Sequence, residues 1–411
     1  SRGGEAGEAA RERELKAGKR KRAPGCVCAS AGPGRRERSI VSFWGYERGA
    51  GAGGVRNYVA VVASVICSTT PVRAIGAAFP EALAVAHQYG CGQMGEDLAQ
   101  TQRTLVGVAA NPNVAAALVV GLGCENNQAP VLAQAMQTGK PVEVIGIQEL
   151  GGSDKTVRKG VEIVDRLIRT TRLERALLTS DRLTVGVLGV EPDDEAYERV
   201  YPAVGRAVDA LVAAGARVIL GVGPGLAPAG AALAERAKDA ATAERLAALG
   251  DGLARRRWHR PVEGKLTVRP WTDEERAKSR AELRLCGSAP VGAALDYAER
   301  PQSAGLALMA VPSNPVEAMS GLVAGGAAVI VVASARGLLS GALGAPTLVV
   351  APERAGFDPF EEFVDVKLSS GDERGADRVL ERLYAVASGE KTRTEEQALS
   401  AFAISQVGTP F

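Results

Sequence analysis

Short apolar runs alternate with amphipathic stretches along most of the chain. The first series starts near residue 55, and its apolar runs predict four buried strands. These strands are predicted in VRNYVAVVASVI, ALAVAH, VAAALVVGLG and PVEVIGIQ. Helices are predicted between and after them, in STTPVRAIGAAF, GEDLAQTQRTLVGVAANP, NQAPVLAQAMQTG and SDKTVRKGVEIVDRLIRTTR. Ser, Thr or Asp at a helix start and Gly or Asn-Pro at its end support these boundaries.

A second series of the same kind follows Arg182. Strands are predicted in LTVGVLGV, ARVILGVG, GLALMAVP, AAVIVVAS and APTLVVAP. Helices are predicted in DDEAYERVYPAVGRAVDALVAAG, APAGAALAERAKDAATAERLAALG, PVEAMSGLVAGG and GADRVLERLYAVASGE. Residues 251–285 are charged and lack an apolar period, which predicts a long surface loop.

Strands that alternate with helices over short connections predict parallel sheets with right-handed crossovers. The predicted fold class is therefore α/β, with two doubly wound parallel-sheet units of the Rossmann or flavodoxin type. The first domain is predicted over residues 45–175 and the second over 183–395, with the boundary near 172–183. Residues 1–44, rich in Arg, Lys, Glu and Gly at their start, are predicted to be a disordered tail, and residues 396–411 a C-terminal tail.

Composition and net charge limit the classes of function that the sequence supports. The net charge of +2 over 411 residues favours neither a nucleic-acid-binding nor a membrane-surface protein. Six cysteines in a chain of this length do not indicate a disulfide scaffold, so we expect a reduced, cytoplasmic setting. No apolar run reaches the roughly 18–20 residues that a membrane-spanning helix needs.

Candidate chemistry lies at the ends of the first four predicted strands. In open parallel sheets, ligands bind outside the carboxyl ends of the strands. The residues there are Cys67 after the first strand, His87 and Cys91 after the second, Cys124 and Glu125 after the third, and Gln148 and Glu149 after the fourth. Thiolates and imidazole suit iron or zinc, and carboxylates adjust the charge of such a site.

Several interpretations of these residues stay open. Any single Cys is an ordinary buried small residue in many proteins. The spacing lacks the local C-x-x-C pair of a structural zinc site, whereas three Cys suit an iron–sulfur cluster or a mononuclear iron. A nucleophilic pair of Cys91 with His87 is the competing catalytic interpretation.

Other loops offer candidates for substrate binding. The glycine-rich segment GYERGAGAGGVRN allows close backbone approach to an anion, and it places Arg56 and Asn57 at its end. In the second half, turn-rich loops after predicted strands carry Ser313, Asn314 and Arg336. Each of these three is also an ordinary turn or helix-cap residue.

Several segments resemble the altronate/galactarate dehydratase family of sugar-acid hydro-lyases, which includes the large subunit of sulfolactate sulfo-lyase. In the first half they are GYERGAGAGGVRNYV, HQYGCGQMGEDLAQTQRTLVGVAANPNV, LVVGLGCE and IQELGGS. In the second half they are SGLALMAVPSNPVEAMSGLVAGGAAVIVVASARG and VASGEKTRTEE. Where family members carry a Cys-Gly-Gly-Ser-Asp segment, this chain has VGVLGVEPDDEAYERV, without Cys.

The resemblance implies a metal-dependent β-elimination from a hydroxy acid, with Fe²⁺ or another divalent metal as cofactor. From the strand-end residues, Cys67, Cys91, Cys124 and Glu125 are assigned as the metal ligands, with an iron–sulfur cluster as the alternative. His87 or Glu149 is expected to take the proton. The expected substrate-binding residues are Arg56, Asn57, Gln148, Ser313, Asn314 and Arg336.

The expected reaction is dehydration of an aldonate or aldarate to a 2-keto-3-deoxy acid. The alternatives are a sulfolactate lyase that releases sulfite and a non-catalytic homologue that binds a sugar acid or a partner. The expected partners are a small hydroxy-carboxylate and a small accessory subunit, without nucleic acid or membrane. The sequence leaves open whether the chain forms a homo-oligomer.

Overall fold

A computed structural model describes residues 41–136, 139–255, 261–262, 265–266, 270–356 and 358–407. All of them belong to one compact unit, Arg38–Phe411. Most of the predicted N-terminal tail, residues 1–40, lies outside the described residues. No helix in the described part of the chain is long and apolar enough to cross a membrane.

A small antiparallel sheet is built from segments that lie before and after the first parallel sheet in the sequence. Its strands are β1 (Ser42–Glu47), β2 (Gly53–Gly54) and β7 (Ala176–Thr179), in the order β2-β1-β7. The predicted tail reached residue 44, but Phe43 is fully buried in this sheet. The sequence did not indicate β1 because its pairing partner β7 lies more than a hundred residues away.

The first parallel sheet has four strands in the order β4-β3-β5-β6, which confirms the predicted α/β class. Its strands are β3 (Tyr58–Ala63), β4 (Ala82–Val85), β5 (Val114–Gly121) and β6 (Val142–Gly146). Its helices are α1 (Thr69–Gly76), α2 (Gly95–Ala110), α3 (Ala129–Met136), α4 (Ile147–Leu150) and α5 (Ser153–Thr170). The apolar faces of α1 and α5 cover one side of the sheet, and those of α2 and α3 cover the other. The strand order reverses between β3 and β5, and such a switch point is the usual place for a ligand.

The second parallel sheet has seven strands in the order β12-β13-β9-β8-β14-β15-β16. They are β8 (Thr184–Val190), β9 (Arg217–Val222), β12 (Val291–Leu295), β13 (Gly305–Ala310), β14 (Val329–Ser334), β15 (Thr347–Pro352) and β16 (Val366–Leu368). The helices of this half are α6 (Tyr201–Ala213, preceded by one π-type turn), α7 (Gly230–Ala234), α8 (Ala240–Arg255), α9 (Asp273–Glu282), α10 (Pro315–Ala324), α11 (Gly375–Ala387) and α12 (Arg393–Glu396). Two short strands, β10 (Pro261–Val262) and β11 (Lys265–Leu266), pair with each other.

Two predicted segments differ from the structure. Residues 251–285 were expected to be a loop, yet they contain α9, which begins with a capping box. The Thr272 hydroxyl accepts from the Glu275 amide at 3.1 Å, and the Glu275 carboxylate accepts from the Thr272 amide at 2.7 Å. The Ala-rich helix predicted over 227–250 is divided into α7 and α8, because Asp239 caps a new helix by accepting from the Thr242 amide at 2.8 Å.

The two parallel sheets share a core, with α2 packed against α10. A side chain at Gly107 would place its Cβ 2.4 Å from the Ala324 carbonyl oxygen, so glycine allows this close approach. Nearer the starts of the two helices, the C-terminal segment 403–407 bridges them. Gln100 of α2 donates to the Ser405 carbonyl at 2.5 Å, and Ser320 of α10 accepts from the Ala403 amide at 3.2 Å. Because α2 and α10 thus run side by side in the same direction, and each follows a strand end, the carboxyl edges of both sheets face the same side of the molecule.

Candidate functional site

Hydrogen bonds from backbone and side-chain amides to backbone carbonyls fix the turns at the carboxyl edge of the first sheet to one another. The Ile66 amide donates to the Tyr89 carbonyl at 2.8 Å, which joins the turns after β3 and β4. The Asn127 amide side chain donates to the Ser64 carbonyl at 2.8 Å, which joins the turns after β5 and β3. Gly90 has a φ of +97°, and a Cβ there would lie 2.4 Å from the Ser64 carbonyl oxygen. This glycine therefore lets the turn after β4 lie against β3.

His87 is a buried residue of this framework. Its Nδ1 accepts from the Tyr89 amide at 3.1 Å, so the proton lies on Nε2, which donates to the Ala63 carbonyl at 2.8 Å. Burial lowers the pKa of His87, and the bond to Ala63 opposes that shift. Both ring nitrogens are thus occupied by backbone, and the imidazole holds the two turns together in its neutral form.

We expect the His87 imidazole to stay neutral at pH 6.5, because its pKa is lowered by burial. A His259→Gln variant leaves His87 as the chain's one histidine, so its ring signals are assigned directly by NMR. The titration midpoint should fall below the ordinary value of about 6.5. The stability that the neutral ring provides is then complete above pH 6.5 and is lost as the pH falls through the folded-state pKa. A midpoint at or above 6.5 would contradict this assignment.

Glu125 lies across the switch point from Ser64 and is 3% exposed. Its carboxylate accepts from the Ser64 hydroxyl at 2.8 Å, from the Leu122 amide at 3.1 Å and from the Gly123 amide at 2.6 Å. Burial alone would raise the pKa of Glu125, but the hydrogen bonds from Gly123, Ser64 and Leu122 lower it overall. The carboxylate is therefore ionised and shapes the loop after β5.

Gln148 and Glu149 are exposed at the start of α4, directly after β6. The Gln148 amide donates to the Leu122 carbonyl at 3.1 Å, and its side-chain nitrogen lies 3.9 Å from the Cys124 sulfur. Gly123, with a φ of +126°, leaves room for the Gln148 side chain. Cys124, Gln148 and Glu149 therefore form an accessible polar surface at this edge.

The predicted metal ligands occupy this edge without forming a closed set. Cys67, Cys91 and Cys124 are free and exposed, each on a different turn. Glu125 is turned toward backbone amides. Among the residues that the structure describes, no group of three or more His, Cys, Asp or Glu side chains is arranged to hold a metal ion. The donors have suitable chemistry, but as placed these side chains do not converge on one point.

Arg56 and Asn57 lie away from this edge, which corrects the prediction that they join the site. They precede the six-residue strand β3, so they belong to the opposite edge of the sheet, roughly 20 Å away along the strand. Arg56 donates to both carboxylate oxygens of Glu395, at 2.8 and 2.7 Å, and to three backbone carbonyls. Asn57 accepts from Arg48 at 2.6 Å and donates to the Thr171 carbonyl at 3.1 Å. Their donors are occupied by structural contacts.

The three candidates of the second half separate into different roles. Asn314 is the N-cap of α10 and accepts from the Val316 amide at 2.9 Å, which satisfies a helix end. Arg336 is exposed after β14, with its guanidinium 5.9 Å from the centre of the Phe360 ring. Ser313 is exposed and lines a cavity at the carboxyl edge of the second sheet. Among the residues that the structure describes, none of the three forms a hydrogen bond with Cys67, Cys91 or Cys124.

Three polar residues of this edge, Ser64, Asn127 and Gln93, were not among the predicted site residues. Ser64 and Asn127 are fully buried and connect three strand ends. Gln93 accepts from the Gly90 amide at 3.2 Å and donates to Gln406 at 2.9 Å, which links the glycine-rich turn to the C-terminal segment. A polar residue directly after an apolar strand, as in VVAS, was the one available signal for Ser64.

Two family models match this chain. Residues 45–172 match the family model of the D-galactarate dehydratase/altronate hydrolase second domain, and residues 199–409 match that of the D-galactarate/altronate dehydratase C-terminal domain. The cysteine-bearing turns all lie within the first match. The second match alone covers more than half of the chain.

Three relatives show the same relationship over most of the chain. An altronate dehydratase of Bacillus subtilis is 27% identical over 89% of this chain and 78% of its own length. An altronate dehydratase of Escherichia coli is 27% identical over 74% of this chain and 65% of its own length. The (2R)-sulfolactate sulfo-lyase subunit beta of Chromohalobacter salexigens is 27% identical over 86% of this chain and 94% of its own length. The relatives are lyases, and the chain belongs to the D-galactarate/altronate dehydratase family.

Proposed function

We propose that the chain is a hydro-lyase that converts an aldonate or aldarate to a 2-keto-3-deoxy acid. The observation that carries this proposal is the switch-point edge of the first sheet. It presents three free thiols together with Gln148 and Glu149 to solvent. This edge belongs to the segment that matches the family's second domain.

The proposed reaction needs a base for the proton next to the substrate carboxylate, and a route for the β-hydroxyl to leave as water. Glu149 is exposed at this edge and is the proposed base. His87 is the weaker candidate, because both of its ring nitrogens are bonded to backbone. Gln148 is proposed to hydrogen-bond the substrate from beside Cys124.

Fe²⁺ or another divalent metal is proposed as the cofactor, with an iron–sulfur cluster as the alternative. Such a metal would stabilise the negative charge that develops as the proton leaves. The support is the donor chemistry of Cys67, Cys91 and Cys124, whose thiols would have to move together to bind one ion. Iron and acid-labile sulfide would be measured in the wild type and in Cys91→Ala and Cys124→Ala. Equal iron content in all three proteins would exclude Cys91 and Cys124 as iron ligands.

The activity is tested on protein purified without oxygen in the presence of ferrous iron. It is incubated with aldonates, aldarates and sulfolactate, and 2-keto-3-deoxy acid and sulfite are both measured. We expect the 2-keto product from a sugar acid, and a loss of about 100-fold or more in kcat for Glu149→Gln. Glu174→Gln, an exposed glutamate outside this edge, is the matched control. An unchanged kcat in Glu149→Gln would exclude Glu149 as the base.

Sulfolactate is the second candidate substrate, because the sulfo-lyase subunit is matched over 94% of its length. That relative is a subunit, which also supports a small accessory subunit as partner of this chain. Sulfite as the main product would identify the chain as a sulfolactate lyase and would contradict the proposed dehydratase activity. Absence of turnover, combined with thermal stabilisation by a sugar acid, would indicate a non-catalytic binding protein.

A further inference from the structure

A second cavity lies at the carboxyl edge of the seven-stranded sheet. It is formed by the ends of β8, β9 and β13 together with the start of α10, and its volume is about 190 Å³. Drug-sized ligands occupy cavities of roughly 300–1,000 Å³, so this one suits a smaller molecule. Its walls combine apolar side chains such as Leu188 and Val311 with the polar groups of Ser313 and Glu282.

Glu282, the last residue of α9, supplies an ionisable group whose pKa is shifted by its position in this cavity. Burial raises the pKa of Glu282 to about 7, and the hydrogen bond from the Tyr197 hydroxyl at 3.4 Å opposes that shift. The titratable groups that face it are the phenols of Tyr197 and Tyr201, the Cys286 thiol and, at the cavity wall, Glu191. At neutral pH these neighbours are two neutral phenols, a neutral thiol and one carboxyl group. A large fraction of the Glu282 carboxyl is therefore protonated near pH 7 and able to donate a hydrogen bond.

Glycines leave space around the Glu282 carboxyl and its neighbour Tyr201. A Cβ at Gly225 would lie 3.0 Å from Glu282 Oε1 and 3.3 Å from Oε2, so glycine leaves the face of the carboxyl open. A Cβ at Gly189 would lie 2.2 Å from the Tyr201 hydroxyl, so glycine also allows the phenol to reach the strand end. Glu191 has a φ of +42°, a backbone conformation that non-glycine residues adopt rarely and that is concentrated at functional sites.

The cavity opens on the same side of the molecule as the cysteine-bearing turns. The start of α10 forms part of its wall through Pro315 and Ala318. Glu317, between them, interacts electrostatically with Tyr89 in the turn after β4. The two carboxyl edges are thus neighbours, with the first turn of α10 between them.

We propose that this cavity binds a small hydroxyl-bearing molecule, a polyol or the hydroxylated end of a sugar acid, with the Glu282 carboxyl donating a hydrogen bond to a ligand hydroxyl. Apolar walls contact the carbon chain, and the carboxyl recognises the hydroxyl. A half-buried carboxyl beside apolar walls favours such a ligand, because the ligand hydroxyl gives it a hydrogen-bond partner where contact with water is reduced. Binding here does not require lyase activity, so the proposal is tested separately from the proposed function.

The test is calorimetric titration of the full chain with galactitol, galactarate and altronate between pH 6 and pH 8. These ligands do not change charge in this range, so a pH effect reports on the protein. We expect the dissociation constant to rise about tenfold across the range in the wild type, as the carboxyl of pKa about 7 ionises. Glu282→Gln keeps a hydrogen-bond donor, so it should bind with little pH dependence. Glu282→Ala should bind at least about tenfold more weakly at pH 6, because it lacks the donor.

Control variants outside the cavity show whether binding takes place in the cavity or elsewhere on the surface. Gly225→Ala places a methyl group against Glu282 and should weaken binding, whereas Gly252→Ala, with no atom within 4 Å of its Cβ, should not. Glu244→Gln, an exposed glutamate on α8, should behave as the wild type. Circular dichroism of each variant verifies that it folds. Absence of binding by the wild type, or equal pH dependence in the wild type and Glu282→Gln, would overturn the proposal, and so would unchanged affinity in Glu282→Ala.

Discussion

Asn113→Ala is expected to lower the free energy of unfolding by about 3–5 kcal/mol. The Asn113 side chain is fully buried where the two parallel sheets meet. Its oxygen accepts from the amides of Val55 and Arg56 at 2.8 and 3.2 Å. Its nitrogen donates to the carbonyls of Ala328 and Gly344 at 2.8 and 2.9 Å. Alanine leaves these backbone groups without their partner in a place where water cannot replace it.

Urea denaturation measures the effect, with Asn126→Ala as the matched control. Asn126 is exposed and makes one long bond, to the Gln93 carbonyl at 3.4 Å, so its removal should change the stability by less than about 0.5 kcal/mol. Asn113→Asp keeps the acceptor, loses both donors and buries a charge, and should also be strongly destabilised. Equal unfolding midpoints for Asn113→Ala and Asn126→Ala would show that this junction does not hold the sheets together.

Glu125→Gln is expected to cost about 2–4 kcal/mol of stability, because charge-assisted hydrogen bonds contribute about 1.5–3 kcal/mol each and the amide retains only one acceptor. The wild-type carboxylate accepts from Ser64, Leu122 and Gly123. Burial raises the pKa of Glu125, but these bonds lower it below its ordinary value of 4.5 overall. The stability that they provide is therefore complete above about pH 4.5 and is lost as the pH falls through the folded-state pKa.

The same variant separates a structural role of Glu125 from its predicted role as a metal ligand. A structural role lowers the stability of metal-free protein, measured by denaturation after chelation. A ligand role lowers metal content while leaving the metal-free protein as stable as the wild type. Glu174→Gln, an exposed glutamate, serves as the control for both measurements. Stability of the metal-free variant equal to that of the wild type would contradict the structural role.

Several elements were predictable because their signals are local. The apolar run of β5 is eight residues long and wholly buried, and it was indicated by composition alone. Helix α5 has an apolar stripe at helical spacing and an acidic residue, Asp154, in its first turn, so its limits were close to those predicted. Helix α9 was missed because most of its residues are polar and it has no apolar stripe, although its T-x-x-E capping signature was present.

The position of the candidate site could be predicted from the sequence. The roles of its residues could be predicted less well. Parallel strands align their carboxyl ends, so the ends of β3, β4, β5 and β6 had to share one edge. Whether a side chain there faces solvent or backbone depends on partners that the sequence does not indicate. His87 and Glu125 both turned toward backbone amides and carbonyls, whereas Cys124 and Glu149 remained exposed.

The sequence by itself determined the α/β class, the family and the edge at which the thiols gather, since periodicity and contiguous motifs are properties of neighbouring residues. The tertiary structure alone decided which polar groups are already satisfied. Arg56 forms hydrogen bonds with Glu395, which is 339 positions away in the sequence. Gly225 packs against Glu282, although α7, α8 and most of α9 lie between them in the sequence. Hydrogen bonding and burial depend on distance in space, and no local pattern records which distant segment folding will bring into contact.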